Sequence, residues 1–149
     1  MTKASAYSSP LQEASLVEAN LEGAFLGQAK LPGSDLREAN LKRTNLGGAN
    51  LYKAVLFQAN LERANLRGAI LQEAVFSEAK LQGADFGNAN LQYAKLLEAD
   101  LEGANLNGVS VQGADFRGAK NLTSEQIKLA RGDSKTILSE NIERPAHWM

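Results

Sequence analysis

A large apolar residue stands at every fifth position from residue 11 to residue 116, with no insertion or deletion. These twenty-two positions hold eighteen leucines, and the other four hold Phe76, Phe86, Val111 and Phe116. Two residues before each of them stands a small residue, which is alanine in all cases but Ser9, Ser34, Thr44 and Val109. The residue between the two is often Asn or Asp. An uninterrupted five-residue repeat therefore organises most of the chain.

A five-residue period excludes both a long helix and a simple strand. In an α-helix a step of five residues advances about 500°, so successive leucines would drift by about 140° and cover every face. In a strand, positions five apart point to opposite faces. The period instead fits a chain that turns a corner every five residues, keeps its large and small residues inside, and pairs stacked coils through parallel β-bridges. The spacing alone leaves three or four sides per coil open.

The individual repeats, such as "ANLER", "ADFGN" and "ANLYK", resemble the pentapeptide repeat family over about three quarters of the chain. The resemblance implies an all-β solenoid, a right-handed quadrilateral parallel β-helix of about five to six coils, with the large and small residues pointing inward. We expect the Asn and Asp residues to form turns and stacked amide ladders rather than to bind ligands. Val109, at a position usually held by alanine, predicts a local bulge or a widened corner.

The breakdown of the repeat predicts three segments: an N-terminal extension at 1–10, the β-helix at 11–120, and a C-terminal helical cap and tail at 121–149. Thr123 or Ser124 can act as an N-cap and Gln126 can complete a capping box, which predicts a helix from about 124 to 131 that ends before Gly132. The tail contains "ERPAHW", which resembles the C-terminal ends of some bacterial pentapeptide repeat proteins, and we expect it to fold back as part of the cap.

Two further expectations concern the ends of the rod. The first ten residues are small and polar, so they predict a partly open N-terminal coil on which another copy could stack. His147 has no second His and no Cys to join it, so we expect a packed tail residue rather than a metal ligand.

Charge and composition exclude several classes of partner. The chain has a net charge of -1, and residues 11–120 carry 13 acidic against 11 basic residues, so we expect no direct binding to nucleic acid or to a membrane. The absence of cysteine excludes disulfides and thiolate metal sites. Residues 1–10 contain no apolar run typical of a signal peptide, which favours the cytoplasm. The sequence shows no catalytic triad, no phosphate-binding glycine loop and no metal-ligand spacing, so we expect no enzyme activity, cofactor or metal.

Function on a solenoid lies on its outer walls, which carry residues twenty apart in columns. We call the wall centred on Leu16, Leu36, Leu56, Phe76, Leu96 and Phe116 the valine wall. Apolar residues there, edged by a column of carboxylates, predict a contact surface. Its candidate residues, with Tyr52 at the neighbouring corner, are Val17, Tyr52, Val55, Phe57, Val75, Leu97, Glu38, Glu78 and Glu98. The alternative is that these residues merely suit β-positions.

These features favour a rigid, non-enzymatic protein-interaction or structural module that acts alone or as a homodimer, with an unknown protein partner. The resemblance also implies an alternative, because some members of the family mimic DNA, bind type II topoisomerases and confer quinolone resistance. Mimicry of DNA requires a strongly acidic rod, whereas residues 11–120 have a net charge of only -2.

Overall fold

The computed structural model describes residues 5–6 and 10–149, in which the chain winds into coils of twenty residues. Each coil pairs with the next through parallel β-bridges of one residue each, as in the column Asp35, Val55 and Val75. Such bridges recur at every fifth residue from Pro10 to Lys120, so that each coil carries four bridge columns and has four walls. The expected solenoid is therefore confirmed.

Backbone hydrogen bonds connect each coil to the next. On the valine wall, the amide of Leu36 donates to the carbonyl of Val55 over 2.7 Å, and the amide of Glu38 donates to the carbonyl of Phe57 over 2.9 Å. The amide of Val55 in turn donates to the carbonyl of Ser34 over 2.9 Å. Because the same three bonds recur in repeat after repeat, each coil is held to its neighbours along its whole length.

Each corner is a tight turn whose third residue has a left-handed backbone. The amide of Ala64 donates to the carbonyl of Leu61 over 3.0 Å, and Arg63 has a φ of 55°. A left-handed backbone disfavours any residue with a β-carbon. The Asn and Asp residues offset this cost, since the side-chain oxygen of Asn60 accepts the amide of Glu62 over 3.0 Å. The expectation that these residues form turns is confirmed.

Amide ladders also connect the coils, as expected. The side-chain amide of Asn40 donates to Asn20 Oδ1 over 3.2 Å, and that of Asn65 donates to Asn45 Oδ1 over the same distance.

The core fills the inside of the coils with the repeating large and small residues. Leucines of the central coils, such as Leu61, are completely buried, and the rings of Phe76 and Phe86 meet edge to face at 6.0 Å across the core from opposite walls. The predicted bulge at Val109 is wrong, because its turn bond to Leu106 is retained and Ser110 keeps its regular bridge to Asn90. The next inward residue is Val111, where most repeats have leucine. Its smaller side chain leaves space for the extra volume of Val109.

The C-terminal segment begins with one short helix, α1, at Ser124–Lys128. Thr123 is its N-cap and Gln126 completes the capping box. The helix ends earlier than the predicted residue 131, because the chain must return to the coil, where Arg131 bridges Ser110.

Side chains of this segment bind carbonyls of the last full coil. Gln126 Nε2 donates to the carbonyl of Leu101 over 2.8 Å and to that of Ala104 over 2.9 Å. Thr136 Oγ1 donates to the carbonyl of Val111 over 3.0 Å, and Ser139 Oγ donates to the carbonyl of Phe116 over 2.7 Å. These donors satisfy carbonyl oxygens at the end of the solenoid.

The tail packs against the same end. Trp148 is buried, its Nε1 donates to the carbonyl of Ala130 over 3.3 Å, and its ring lies on Gly132, where a β-carbon would approach the ring to within 2.4 Å. The expectation that His147 is packed is wrong, because its ring meets Trp148 only edge to face and the residue is exposed.

At the other end, Leu11, Leu16 and Leu21 are only partly buried, unlike the inward leucines of the coils that follow them. Most of the expected N-terminal extension at 1–10, including the small residue Ser9, lies outside the described residues. Within the described part of the chain, no helix is long and apolar enough to cross a membrane.

Candidate interaction surface

The valine wall presents two outward columns of side chains, one on each side of its inward residues. The first is the bridge column, which reads Ser15, Asp35, Val55, Val75, Lys95, Asp115 and Ile137. The second column holds the residue that follows each inward residue. Backbone hydrogen bonds such as that from the amide of Glu38 to the carbonyl of Phe57 align it from coil to coil, and it reads Val17, Arg37, Phe57, Ser77, Leu97 and Arg117. Both columns point outward because the residue between them points into the core.

An apolar group occupies the middle of this wall. Val55 and Val75 are bridge partners, and Phe57 and Leu97 flank them in the second column. All four side chains are half-buried, since neighbouring coils lie only about 4.8 Å above and below and cover part of each one. The structure thus brings together the central four residues predicted for the contact surface.

An ion pair closes the apolar group on each side. Arg37 donates from Nε to Asp35 Oδ1 over 2.8 Å and from Nη2 to Asp35 Oδ2 over 2.6 Å. Four coils further on, Arg117 Nε lies 3.0 Å from each carboxylate oxygen of Asp115. The hydrogen bonds from Arg37 hold the pKa of Asp35 below its ordinary value, and those from Arg117 do the same for the pKa of Asp115.

Sequence reasoning missed these ion pairs. Their signal was present as "DLR" and "DFR", in which an acid and a base flank one inward residue in the same register of the repeat. Two side chains placed in this way project from the same wall and can meet.

The carboxylate column stands at the corner beside this wall. Glu38, Glu78 and Glu98 are exposed and share the left-handed corner position, with φ between 57° and 60°. Gln58 Nε2 donates to Glu78 Oε2 over 2.7 Å, and Lys120 Nζ lies 3.9 Å from Glu98 Oε2. The column therefore forms a partly neutralised rim.

Two predicted members lie apart from the apolar group. Val17 is 38% exposed, but Arg37 separates it from Phe57 in the second column. Tyr52 is also 38% exposed and lies on the neighbouring wall, where its hydroxyl donates to Glu73 Oε1 over 3.2 Å. The set proposed from the sequence is thus one cluster of four with two outlying residues and a carboxylate rim.

Other apolar side chains are more exposed than the predicted ones. Ile70 is 42% exposed and Tyr93 is 55% exposed, both on the wall that carries Tyr52. The ring of Tyr93 lies over Gly113 of the next coil, where a β-carbon would approach it to within 2.6 Å. The sequence alone gives these two residues no role, because single apolar residues on a surface are common.

No group of three or more His, Cys, Asp or Glu residues within the described ranges is arranged to hold a metal ion. The family model for pentapeptide repeats matches the chain in eight copies, at residues 14–52, 49–88 and 84–120. The chain belongs to the pentapeptide repeat family. The matched residues contain all of the apolar group and both ion pairs of the valine wall.

Solved pentapeptide repeat proteins are similar to this chain. The protein Rfr23 from the cyanobacterium Cyanothece 51142 is 28% identical, with a TM-score of 0.63, over 80% of this chain and 90% of that one. A pentapeptide repeat protein from Nostoc Pcc 7120 is 33% identical over 76% of this chain and 77% of that one, with a TM-score of 0.35.

A third solved relative is QnrB1, a plasmid-mediated fluoroquinolone resistance protein. It is 17% identical, with a TM-score of 0.59, over 93% of this chain and 78% of that one. At this identity the likeness shows the fold alone. Among curated proteins, the comparison found no match.

Proposed function

We propose that this pentapeptide repeat protein is a rigid, non-enzymatic, cytoplasmic interaction module of five to six coils, which binds a protein partner through the valine wall. The observation that carries the proposal is the apolar group between two ion pairs. Val55, Phe57, Val75 and Leu97 form an apolar group in the middle of the wall, while Asp35–Arg37 and Asp115–Arg117 give it defined polar ends. An apolar centre with a charged rim is the usual composition of a protein interface.

Rigidity is the second support for this function. Because backbone hydrogen bonds tie the repeats of the middle coils to the coils on both sides, the apolar group is held in one shape before a partner arrives. A preorganised surface loses little conformational entropy on binding. A small wall can therefore still bind a partner specifically.

Mimicry of DNA has less support as the function. The basic residues are interspersed with the acidic ones on the walls, as in the pairs Lys42–Glu62 and Arg67–Asp85, whose charged atoms lie 2.7 Å and 3.3 Å apart. Because positive and negative charges alternate on one wall, their electrostatic potentials cancel at the distances over which a DNA-binding enzyme would be attracted. The likeness to QnrB1 does not alter this charge distribution.

The proposed function is tested by placing a photo-crosslinking residue at position 57 and irradiating the protein in a lysate of its source cell. Position 107 occupies the same place in the repeat on the opposite wall and provides the matched control. We expect a defined protein adduct at 57 and none at 107. Equal labelling at both positions, or none at either, would show that the valine wall is not an interface.

Phe57→Asp separates binding from folding. Because Phe57 is only half-buried, we expect the substitution to lower the free energy of unfolding by about 1 kcal/mol, about half the value of a fully buried phenylalanine, and to abolish the adduct when the crosslinker is moved to position 97. Urea unfolding measures the first effect and mass spectrometry the second. A loss of several kcal/mol would place Phe57 in the core and refute the surface assignment.

A further inference from the structure

The valine wall is complementary in charge to itself. Its bridge column carries Asp35 and Asp115, and its second column carries Arg37 and Arg117 at the same two heights. In both ion pairs the acid thus stands on one side of the wall and the base on the other, while Lys95 lies on the acidic side at a height between them. A two-fold axis parallel to the rod and in front of the wall exchanges these two sides without changing height.

We propose that the valine wall binds the valine wall of a second copy of this chain, with the two rods parallel and related by this two-fold axis. The inference rests on the proposed function, since it names the partner of the same surface. In this arrangement Asp35 faces Arg37 of the second copy, and Asp115 faces Arg117 of the second copy. Each existing ion pair then becomes one half of a cluster of four alternating charges.

The apolar group is completed by the same operation. Val55 of each copy faces Phe57 of the other, and the long stem of Lys95 lies against Leu97. Val75 faces Ser77, whose small side chain leaves room for the aromatic ring of the neighbouring coil. All of these side chains become covered, and every apolar residue meets an apolar surface or a small residue.

An antiparallel arrangement is less favourable. When the middle coils of the two rods are aligned, Asp35 faces Asp115 and Arg37 faces Arg117, so like charges meet at both ends. A shift by one coil in either direction avoids this repulsion, but it leaves the guanidinium of Arg37 or Arg117 over an apolar side chain with no carboxylate opposite. The parallel alignment gives each of these four charges an opposite charge.

The interface is small, which determines how it must be tested. A stable interface usually buries about 800 Å² on each partner, and one wall of a narrow rod about 26 Å tall provides less than this area. We therefore expect a reversible dimer with a dissociation constant in the micromolar range. Sedimentation velocity should be measured with the full chain from about 10 to 500 μM.

Charge reversal tests the pairing directly. One variant carries Arg37→Asp with Arg117→Asp, and a second carries Asp35→Arg with Asp115→Arg. Each alone presents like charges at both ion-pair heights and should remain monomeric, while an equal mixture should dimerise. Lys42→Glu, a single charge reversal on another wall, is the control and should leave the dimer unchanged. Circular dichroism verifies that every variant is folded.

The relative orientation is measured on the unaltered wall with spin labels at its rim. The chain has no cysteine, so Glu38→Cys and Glu78→Cys each give a single labelled site. In the parallel dimer the 38–38 and 78–78 distances should be equal. In the centred antiparallel dimer the two labels at 38 stand four coils apart along the rod, about 19 Å, whereas those at 78 are level.

Three results would overturn the inference: a wild-type chain that stays monomeric up to about 500 μM, a dimer that survives both charge reversals, or unequal label distances. The proposed function fails separately. If the chain is monomeric but position 57 is crosslinked to another protein, the valine wall remains an interface and only its occupant is wrong. If the chain is monomeric and position 57 gives no adduct, both proposals fail.

Discussion

Ser34 provides the sharpest test of how well the inward positions are understood. Its hydroxyl is completely buried and, among the residues that the structure describes, has no hydrogen-bond partner. Thr44 occupies the equivalent small position two repeats later, and its Oγ1 donates to the carbonyl of Leu21 over 2.8 Å. The two residues therefore carry the same functional group in the same kind of site, one unsatisfied and one satisfied.

The substitution Ser34→Ala should stabilise the protein. A buried polar group without a partner costs about 1–3 kcal/mol, so removing the hydroxyl should raise the free energy of unfolding by about 1 kcal/mol, after the loss of its packing contacts. Alanine is the residue found at most equivalent positions, so the alanine side chain fits the wall. The measurement is equilibrium unfolding in urea, with an unchanged slope and a higher midpoint.

Thr44→Val is the matched comparison. It keeps the shape of the side chain and removes the donor to Leu21, whose carbonyl still accepts the amide of Ala24 over 2.9 Å. The expected loss is about 1 kcal/mol, the usual net value of one hydrogen bond. Opposite signs for Ser34→Ala and Thr44→Val support the assignment. If Ser34→Ala lowers the midpoint, its hydroxyl is bonded in solution and the reasoning about this site is refuted.

The remaining predictions concern the core, the ion pairs and the C-terminal end. Leu61→Lys places a charge in a fully buried site and should abolish cooperative unfolding and the circular dichroism of the native fold; a cooperatively folded variant would contradict the register. Because the folded-state pKa values of Asp35 and Asp115 are lowered, their contribution to stability is complete above their unfolded pKa near 4 and is lost as the pH falls through the folded values. The urea midpoint should therefore fall below about pH 4, and less steeply in Asp115→Asn. Gln126→Ala removes the donor to two carbonyls and should accelerate amide hydrogen exchange in the last coil before that of the middle coils.

The sequence predicted the inside of the rod well, because the inside obeys one simple rule. A site such as that of Leu61 accepts a large apolar residue, so this position is apolar in every repeat between residues 11 and 116, and the position two residues earlier is small in all of these repeats except at Val109. The side chains of Asn60 and Asn40 act within their own turn or on the adjacent coil, so their roles also follow from the repeat.

The outside of the rod was harder to predict, because exposure there depends on the side chains of neighbouring coils. Phe57 and Leu97 were expected as exposed apolar residues, but the coils above and below half-bury them. Ile70 and Tyr93 are more exposed, and nothing in their own repeats distinguishes them. The ion pair of Asp35 depends on Arg37 two residues away, a spacing that becomes informative only when the wall is known.

The helix boundary and His147 show a different limit. Local capping signals predicted a helix from about residue 124 with Thr123 or Ser124 as its N-cap, and α1 does begin at Ser124 with Thr123 as the N-cap. Its end is fixed by the bridge of Arg131 to Ser110, which is a tertiary constraint. The tail residue that packs is Trp148, while His147 beside it is exposed. The greater hydrophobicity of Trp148 predicts which of the two side chains is buried only once the tail is known to pack on the end of the solenoid.

The way in which the C-terminal end is closed also restricts where the protein can bind a partner. A sheet edge binds another chain through free backbone groups, but Gln126, Thr136 and Ser139 already occupy carbonyls at this edge. Backbone groups within the walls are bonded to adjacent coils, so a partner of the walls must be recognised by side chains. Recognition by side chains needs a pattern that breaks the regular repeat. The valine wall has such a pattern, an apolar group between two ion pairs of the same sequence order, which is why we propose the valine wall as the interaction surface.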